Sequence, residues 1–358
     1  MKLKTEVENQ YIQEPEYDNY DEAVQNDEYD DEYYEESKLR IFLRRIFNKR
    51  IIASVIAAVI VITLAWETVA GIAVSAVVTE PEMFLKTEKS RNVLREPLSE
   101  QEYLDWFDSN AEDVFLRNSE DKSLHGFSLK NYSTSHSYVI ICHSMTANAR
   151  DMAVFAHHFF DLGFNVLLPE SRGFGESEYE KTTFGYRERY DIADWVNMIV
   201  EEDADSAIFL YGMGLGGSTV LMASSLEMPD NVKGIISDSA YANLHDLFKE
   251  NAKEMYKLPS FPLVSIASTY NGIVNDWKFK DVDVIEQVRK SAFPILFIHG
   301  GDDRIVPVEH SNDMYEACTV EGSDHLHISG ASHCGAMSRK TEKYWMNVDS
   351  FILDNIEN

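Results

Sequence analysis

Cysteine is scarce in this 358-residue chain: Cys142, Cys318 and Cys334 are all it has. Three leave at least one unpaired, which argues against a disulfide framework. No two of them have the C-x-x-C spacing of a structural zinc site. Positive charge is also short, with 32 Lys and Arg against 61 Asp and Glu and a formal net charge of −29. Nucleic-acid binding depends on clustered cations that neutralise phosphates, so no nucleic-acid partner is expected. The apolar share is an ordinary 44%, enough for a packed core and too much for a wholly disordered chain. The length suits one large domain with additions, or two average ones.

The acidity is uneven. Residues 1–37 hold 14 Asp and Glu against two Lys, punctuated by six tyrosines from Tyr11 to Tyr34. Like charges at this density repel, and no apolar period is available to order them. We expect a disordered acidic tail whose partner, if it has one, is unknown. Residues 38–50 reverse the sign with Lys38, Arg40, Arg44, Arg45, Lys49 and Arg50. Ile51 to Trp66 then carries no charge, and Glu67 is the only charge before Glu80. About 20 residues are needed to cross a hydrocarbon core. A single-pass helix therefore has to continue past Trp66, and we assign it to 51–78. Val74-Ser75-Ala76 resembles a signal-peptidase site, but the leader would exceed seventy residues and begin with an acidic head. Cations on the near side alone predict a retained signal-anchor, with the N-terminus cytoplasmic and the rest of the chain extracytoplasmic.

From residue 79 to 358 the pattern becomes globular. After a short helix near 101–111 and two strands near 113–117 and 123–129, apolar runs alternate with amphipathic stretches. The runs are Tyr138–Cys142, Phe164–Leu168, Ala207–Tyr211, Gly234–Ser237, Pro294–His299 and His325–Ser329. Strand and helix alternating at this spacing predict an α/β fold with a mostly parallel sheet. Reactive residues in such folds collect at the carboxyl ends of the strands. Residues 240–288, with Phe248, Met255, Phe261 and Tyr270, read as a helical cap, or as ordinary core.

Three strand ends carry chemistry. Ala207–Tyr211 runs into Gly212-Met213-Gly214-Leu215-Gly216-Gly217-Ser218 and a helix, the setting of a G-x-S-x-G nucleophile elbow. Pro294–His299 ends on Asp302-Asp303, and His325–Ser329 is followed by His333-Cys334. Elbow, acid and His in that order form the sequence of a Ser-Asp-His triad. No His or Glu cluster accompanies Asp302-Asp303, so no metal is expected. A phosphate loop would need Lys where Ser218 stands, so no nucleotide or other cofactor is expected either.

From about residue 85 onward the chain resembles the membrane-anchored bacterial α/β hydrolases, in the serine aminopeptidase-like and lipase- or esterase-like group. Besides the triad region, the matching stretches are Val139-Ile140-Ile141-Cys142-His143, Arg172-Gly173-Phe174-Gly175-Glu176-Ser177 and Lys257-Leu258-Pro259. The resemblance implies the α/β-hydrolase fold, Asp303 as triad acid and His333 as general base. It also implies the backbone N–H groups of Met145 and Leu215 as oxyanion donors.

The departure is at the elbow, where the nucleophile position falls on Gly214. Removing such a nucleophile costs about 10⁶ in turnover, with roughly 10³–10⁴ over water surviving. A second departure is His143-Ser144, where the group usually has His-Gly. The expectation is a pseudoenzyme that binds an ester, lipid or peptide ligand, or a protein partner. The alternative is a working ester or peptide hydrolase with a non-standard nucleophile: Ser144, Cys334, or water activated by His333. Ser218, one turn into the helix, should point away from the strand end.

Overall fold

The computed structural model describes residues 27–46, 49–78, 100–132 and 134–357. The acidic tail over 1–26 and the stretch 79–99 lie outside the described residues. Two units are distinguished, Met1–Leu64 and Ala65–Asn358.

Helix α1 spans Asp27–Ile46 and α2 spans Lys49–Val78. The first corrects the sequence reading, because residues 27–37 of the expected disordered tail are helical. The change of charge sign supplies the reason. Glu35 lies 3.3 Å from Lys38, and Glu36 lies 3.5 Å from Arg40, at helical i, i+3 and i, i+4 spacings. Each such pair contributes a few tenths of a kcal/mol, about 0.2–0.5. Within α2, Lys49–Ser75 is long and apolar enough to cross a membrane by length and composition.

In the second unit, α3 (Glu100–Asn110) leads into an eight-stranded sheet. The strands are β1 (Glu112–Arg117), β2 (Ser123–Leu129), β3 (Ser137–Cys142), β4 (Asn165–Pro169), β5 (Ala207–Met213), β6 (Val232–Asp238), β7 (Ile295–Gly300) and β8 (Asp324–Ile328). Their spatial order is β1-β2-β4-β3-β5-β6-β7-β8. β2 runs antiparallel to both β1 and β4, and every pairing from β4 through β8 is parallel.

Successive strand side chains point to opposite faces, and the central strands bury both. Ile140, Ile208, Leu210, Ile235 and Phe297 join one core, which takes in Trp195 of α5 (Glu188–Glu202) and Val220 of α6 (Leu215–Ala223). Their neighbours Val139, Ile141, Phe209, Ile236 and Ile298 join the other. That core takes in Phe107 of α3, Phe155 of α4 (Ala153–Asp161) and Val348 at the C-terminal end of the chain. Each fully buried residue of this kind stabilises the fold by roughly 1.5–3 kcal/mol. Continuous apolar runs such as Val139-Ile140-Ile141 therefore mark strands covered on both sides.

Between β6 and β7 the chain is helical, with α7 (Leu244–Glu254), α8 (Leu263–Val274) and α9 (Val284–Val288). After β7 come α10 (Glu309–Ala317), α11 (Ala336–Arg339) and α12 (Thr341–Asn355). The parallel strands deliver Ser144, Gly214, Ser239, Asp303 and Cys334 just beyond their carboxyl ends.

Candidate active site

The turn between β5 and α6 keeps the shape of a nucleophile elbow. Gly214 caps α6 at φ 55° and ψ −113°, backbone that L side chains rarely adopt. Its N–H donates to the Asp238 carbonyl at 2.8 Å and its carbonyl accepts from Ser218 N–H at 3.0 Å. Gly216 is required by close approach, since a Cβ there would collide with the Cys142 carbonyl oxygen. A Cβ on residue 214 would meet Ser144 Oγ at 2.6 Å and Cys334 Sγ at 3.4 Å. The space a nucleophile would occupy is thus bordered by a hydroxyl and a thiol from two other loops.

Asp303 and His333, the acid and base expected from the sequence, lie side by side. His333 Nδ1 donates to Asp303 Oδ2 at 2.7 Å. The other Asp303 oxygen accepts the backbone N–H groups of Ile305 and Val306, each at 2.9 Å. His299, buried at the end of β7, reaches the Val306 carbonyl at 2.9 Å and lies 3.3 Å from Asp303 Oδ2. Burial of Asp303 acts against its ionised form, but His299, His333 and these N–H groups outweigh it and hold its pKa well below the usual carboxylate range. Burial likewise opposes a charged His333, and the Cys334 sulfur with the Asp303 carboxylate reverses this, raising its pKa well above the ordinary value.

Cys334 faces the site because of its backbone. Its φ of 53° is left-handed, and its N–H donates to Ser239 Oγ at 3.1 Å. Ser239, also left-handed at φ 57°, donates to Asp238 Oδ1 at 2.8 Å. Asp238 Oδ2 accepts from Tyr344 at 3.0 Å, and the Tyr344 hydroxyl lies 2.8 Å from that of Tyr211. Burial pushes the Asp238 carboxyl up, despite the Ser239 and Tyr344 hydroxyls. This buried relay from β5 to the Cys334 loop was not legible in the sequence, because three of its bonds join residues 95, 106 and 133 positions apart.

Ser144 is held through its neighbour. The His143 ring is buried, with Nδ1 2.9 Å from the Ser144 carbonyl and Nε2 3.1 Å from Ser171 N–H. Ser171 N–H must donate to Nε2, so Nδ1 carries the proton, an assignment made from the bonding pattern. Burial also pushes the His143 pKa down, consistent with a neutral ring. Among the described residues, no hydrogen bond takes up the N–H of Met145 or of Leu215, the two donors expected to hold an oxyanion.

Other polar side chains are taken up by packing. Ser218 is fully buried, its hydroxyl bonded to both backbone groups of Tyr241. His158 stacks on Trp345 with centroids 3.7 Å apart, and His157 packs on Trp106. Among the described residues no cluster of His, Cys, Asp or Glu could hold a metal ion.

Comparison with known proteins agrees with the fold. A model of the alpha/beta hydrolase fold matches residues 138–265. The uncharacterized protein YqkD of Bacillus subtilis is 25% identical over 292 residues, covering 80% of this chain and 93% of its own. The lysophosphatidylserine lipase ABHD12 of Macaca fascicularis is 26% identical over 164 residues, 43% of this chain and 38% of that lipase. Among solved structures, the Pyrococcus furiosus esterase Pf2001 superimposes with a TM-score of 0.58 at 21% identity. It covers 73% of this chain and 97% of its own.

Proposed function

We propose, for a chain that has the α/β-hydrolase fold, a membrane-anchored protein that binds acyl ligands and does not turn them over by serine acylation. The ligand class is a carboxylic ester, a lipid or a peptide. The observation that carries the reading is Gly214, left-handed at the elbow with Ser144 Oγ in the space of the absent side chain. The acid–base pair and two open N–H donors remain to hold a carbonyl group, and no hydroxyl at 214 is there to attack it.

Anchoring is supported by the apolar span of α2 and the cations before it. The proposed location is a cell membrane, with the hydrolase-like domain on the extracytoplasmic side.

A second reading is favoured by Cys334, whose thiol borders both the elbow and the base. In it His333 takes the Cys334 thiol proton as the sulfur attacks an acyl carbonyl, and Met145 and Leu215 N–H stabilise the oxyanion. His333 protonates the leaving group, and water then hydrolyses the thioester.

One set of assays separates the two. Full-length protein in detergent is offered short-chain aryl esters and a serine-directed phosphonate. The first reading expects no labelling and no turnover above that of His333→Ala. Turnover lost in both His333→Ala and Cys334→Ala would replace it with the second.

A further inference from the structure

Ser144 brings a hydroxyl to the elbow and leaves it without a bond. The residue is only 5% exposed. Its carbonyl accepts from Ala147 N–H at 3.1 Å and from His143 Nδ1 at 2.9 Å. Among the described residues, no hydrogen bond involves its Oγ. That oxygen lies 2.6 Å from the point a Cβ on residue 214 would occupy, and Cys334 Sγ lies 3.4 Å from the same point. A buried hydroxyl without a partner destabilises a fold, so one aimed into a site points to a ligand.

The groups around that point favour negative charge. Leu215 begins α6, nine residues long, whose N-terminus carries the positive end of the helix dipole. Among the described residues, no hydrogen bond takes up the N–H of Leu215 or of Met145, the residue after Ser144. Burial opposes charge on the His333 ring, but the Cys334 sulfur and the Asp303 carboxylate overcome it, so the ring is an imidazolium at neutral pH. The Asp303 charge is itself shared with His299 and with two backbone N–H groups.

Donors of this kind serve a hydrolase because attack turns a neutral carbonyl oxygen into an oxyanion. At Gly214 no side chain attacks, so an ester bound here keeps a neutral oxygen. A ligand that arrives charged uses the whole set. A carboxylate has two acceptor oxygens with about four lone-pair sites, and its hydrogen bonds are roughly twice as strong as those between neutral groups. One imidazolium matches one negative charge, which favours a carboxylate over a dianionic phosphate.

We infer that the elbow binds the free carboxylate of an unesterified acid, with the Ser144 hydroxyl donating to it. A fatty acid and a peptide C-terminus both carry that group. This rests on the non-acylating reading of Gly214, and it narrows the ligand from acyl compounds in general to their free acids.

The test is calorimetric titration of the full chain in detergent. Hexanoate is compared with hexanamide, which has nearly the same shape and no charge, and acetyl-alanyl-alanine with its C-terminal amide. At least one acid should bind about tenfold or more tighter than its amide, and the pair that shows this identifies the source. The comparison needs no variant. Ser144→Ala should then reduce the preference about tenfold, through loss of a hydrogen bond to a charged group. Amides that bind as tightly as their acids would overturn the inference and leave the acyl-binding reading in place. A preference untouched by Ser144→Ala, displacement of hexanoate by equimolar inorganic phosphate, or no binding by any of the four would also overturn it. Turnover of aryl esters by the parent, lost in His333→Ala, would overturn the non-acylating reading and the inference together.

Discussion

Ser144 Oγ stands 2.6 Å from the point a Cβ on residue 214 would occupy. A Gly214→Ser replacement alone therefore meets two obstacles. The left-handed backbone costs a non-glycine residue about 1–2 kcal/mol, and the Ser144 hydroxyl must rotate away. Combining it with Ser144→Gly removes the two nearest obstacles to the new Cβ and leaves Cys334 Sγ at an ordinary 3.4 Å. We expect little ester hydrolysis from the single variant. The double variant should gain about 10² or more over the parent, with phosphonate label on residue 214. Nucleophile and base act as a unit, so the gain should vanish when His333→Ala is added. A folded double variant with no label would show that the Asp303–His333 pair no longer presents a working base.

The same pair predicts a pH window of stability. The Asp303 pKa is depressed, so its contribution is complete above about 3.9, the ordinary value, and is lost as pH falls through the folded value. The His333 pKa is raised, so its contribution is complete below about 6.5 and is lost as pH rises through the folded value. Both are whole between about pH 4 and 6.5. Thermal midpoints of the parent and His333→Gln should lie furthest apart near pH 6 and converge toward pH 10. A gap that widened with rising pH would contradict the assignment.

Much of this was legible in the sequence, and the part that was not has a physical cause. Strand ends could be read because runs such as Val139-Ile140-Ile141 and Ile295–His299 must be buried on both faces. That placed Gly214, Asp303 and His333 at one edge of the sheet. The inward aim of Cys334 could not be read. It depends on a left-handed φ at a residue type that gives no sign of it, held by Ser239 from 95 positions away. The helix over 27–37 was missed because net acidity hid the few acid–base pairs at its end.

Arg172 is buried yet fully partnered. It bonds Asp191 at 2.6 and 2.8 Å and Glu120 at 3.0 and 3.2 Å, and lies 4.1 Å over the Tyr179 ring. Removing one member of such a pair strands the other as an uncompensated charge, at a cost of about 3–5 kcal/mol. Arg172→Met should lower the urea midpoint accordingly, and Arg172→Lys should recover only part, because an ammonium cannot reproduce the planar fork. Recovery to the parent value by Lys would show that charge alone suffices.

The proposed orientation rests on the six cations of 38–50 and their absence just after the apolar span. Protease added to intact cells should remove the domain that begins near residue 100 and leave the acidic tail. Changing Lys38, Arg40, Arg44, Arg45, Lys49 and Arg50 to Gln should weaken that outcome, since the cations set the direction of insertion. Protection of the domain in the parent would reverse the topology.

Left-handed backbone at Cys334 makes a last prediction in which two effects oppose each other. A non-glycine residue there costs about 1–2 kcal/mol. Glycine removes that cost but gives back roughly 0.5–1 kcal/mol in unfolded-chain entropy. Comparing Cys334→Gly with Cys334→Ala cancels the lost thiol, since neither variant has one. The glycine variant should be more stable by about 0.5–1 kcal/mol, a rise of about 1–4 °C in thermal midpoint. Such a result would mean that the fold holds this residue against its local preference in order to face the thiol toward His333 and the elbow. A glycine variant no more stable than the alanine one would remove strain from the account, leaving the Ser239 hydrogen bond to explain the loop's shape.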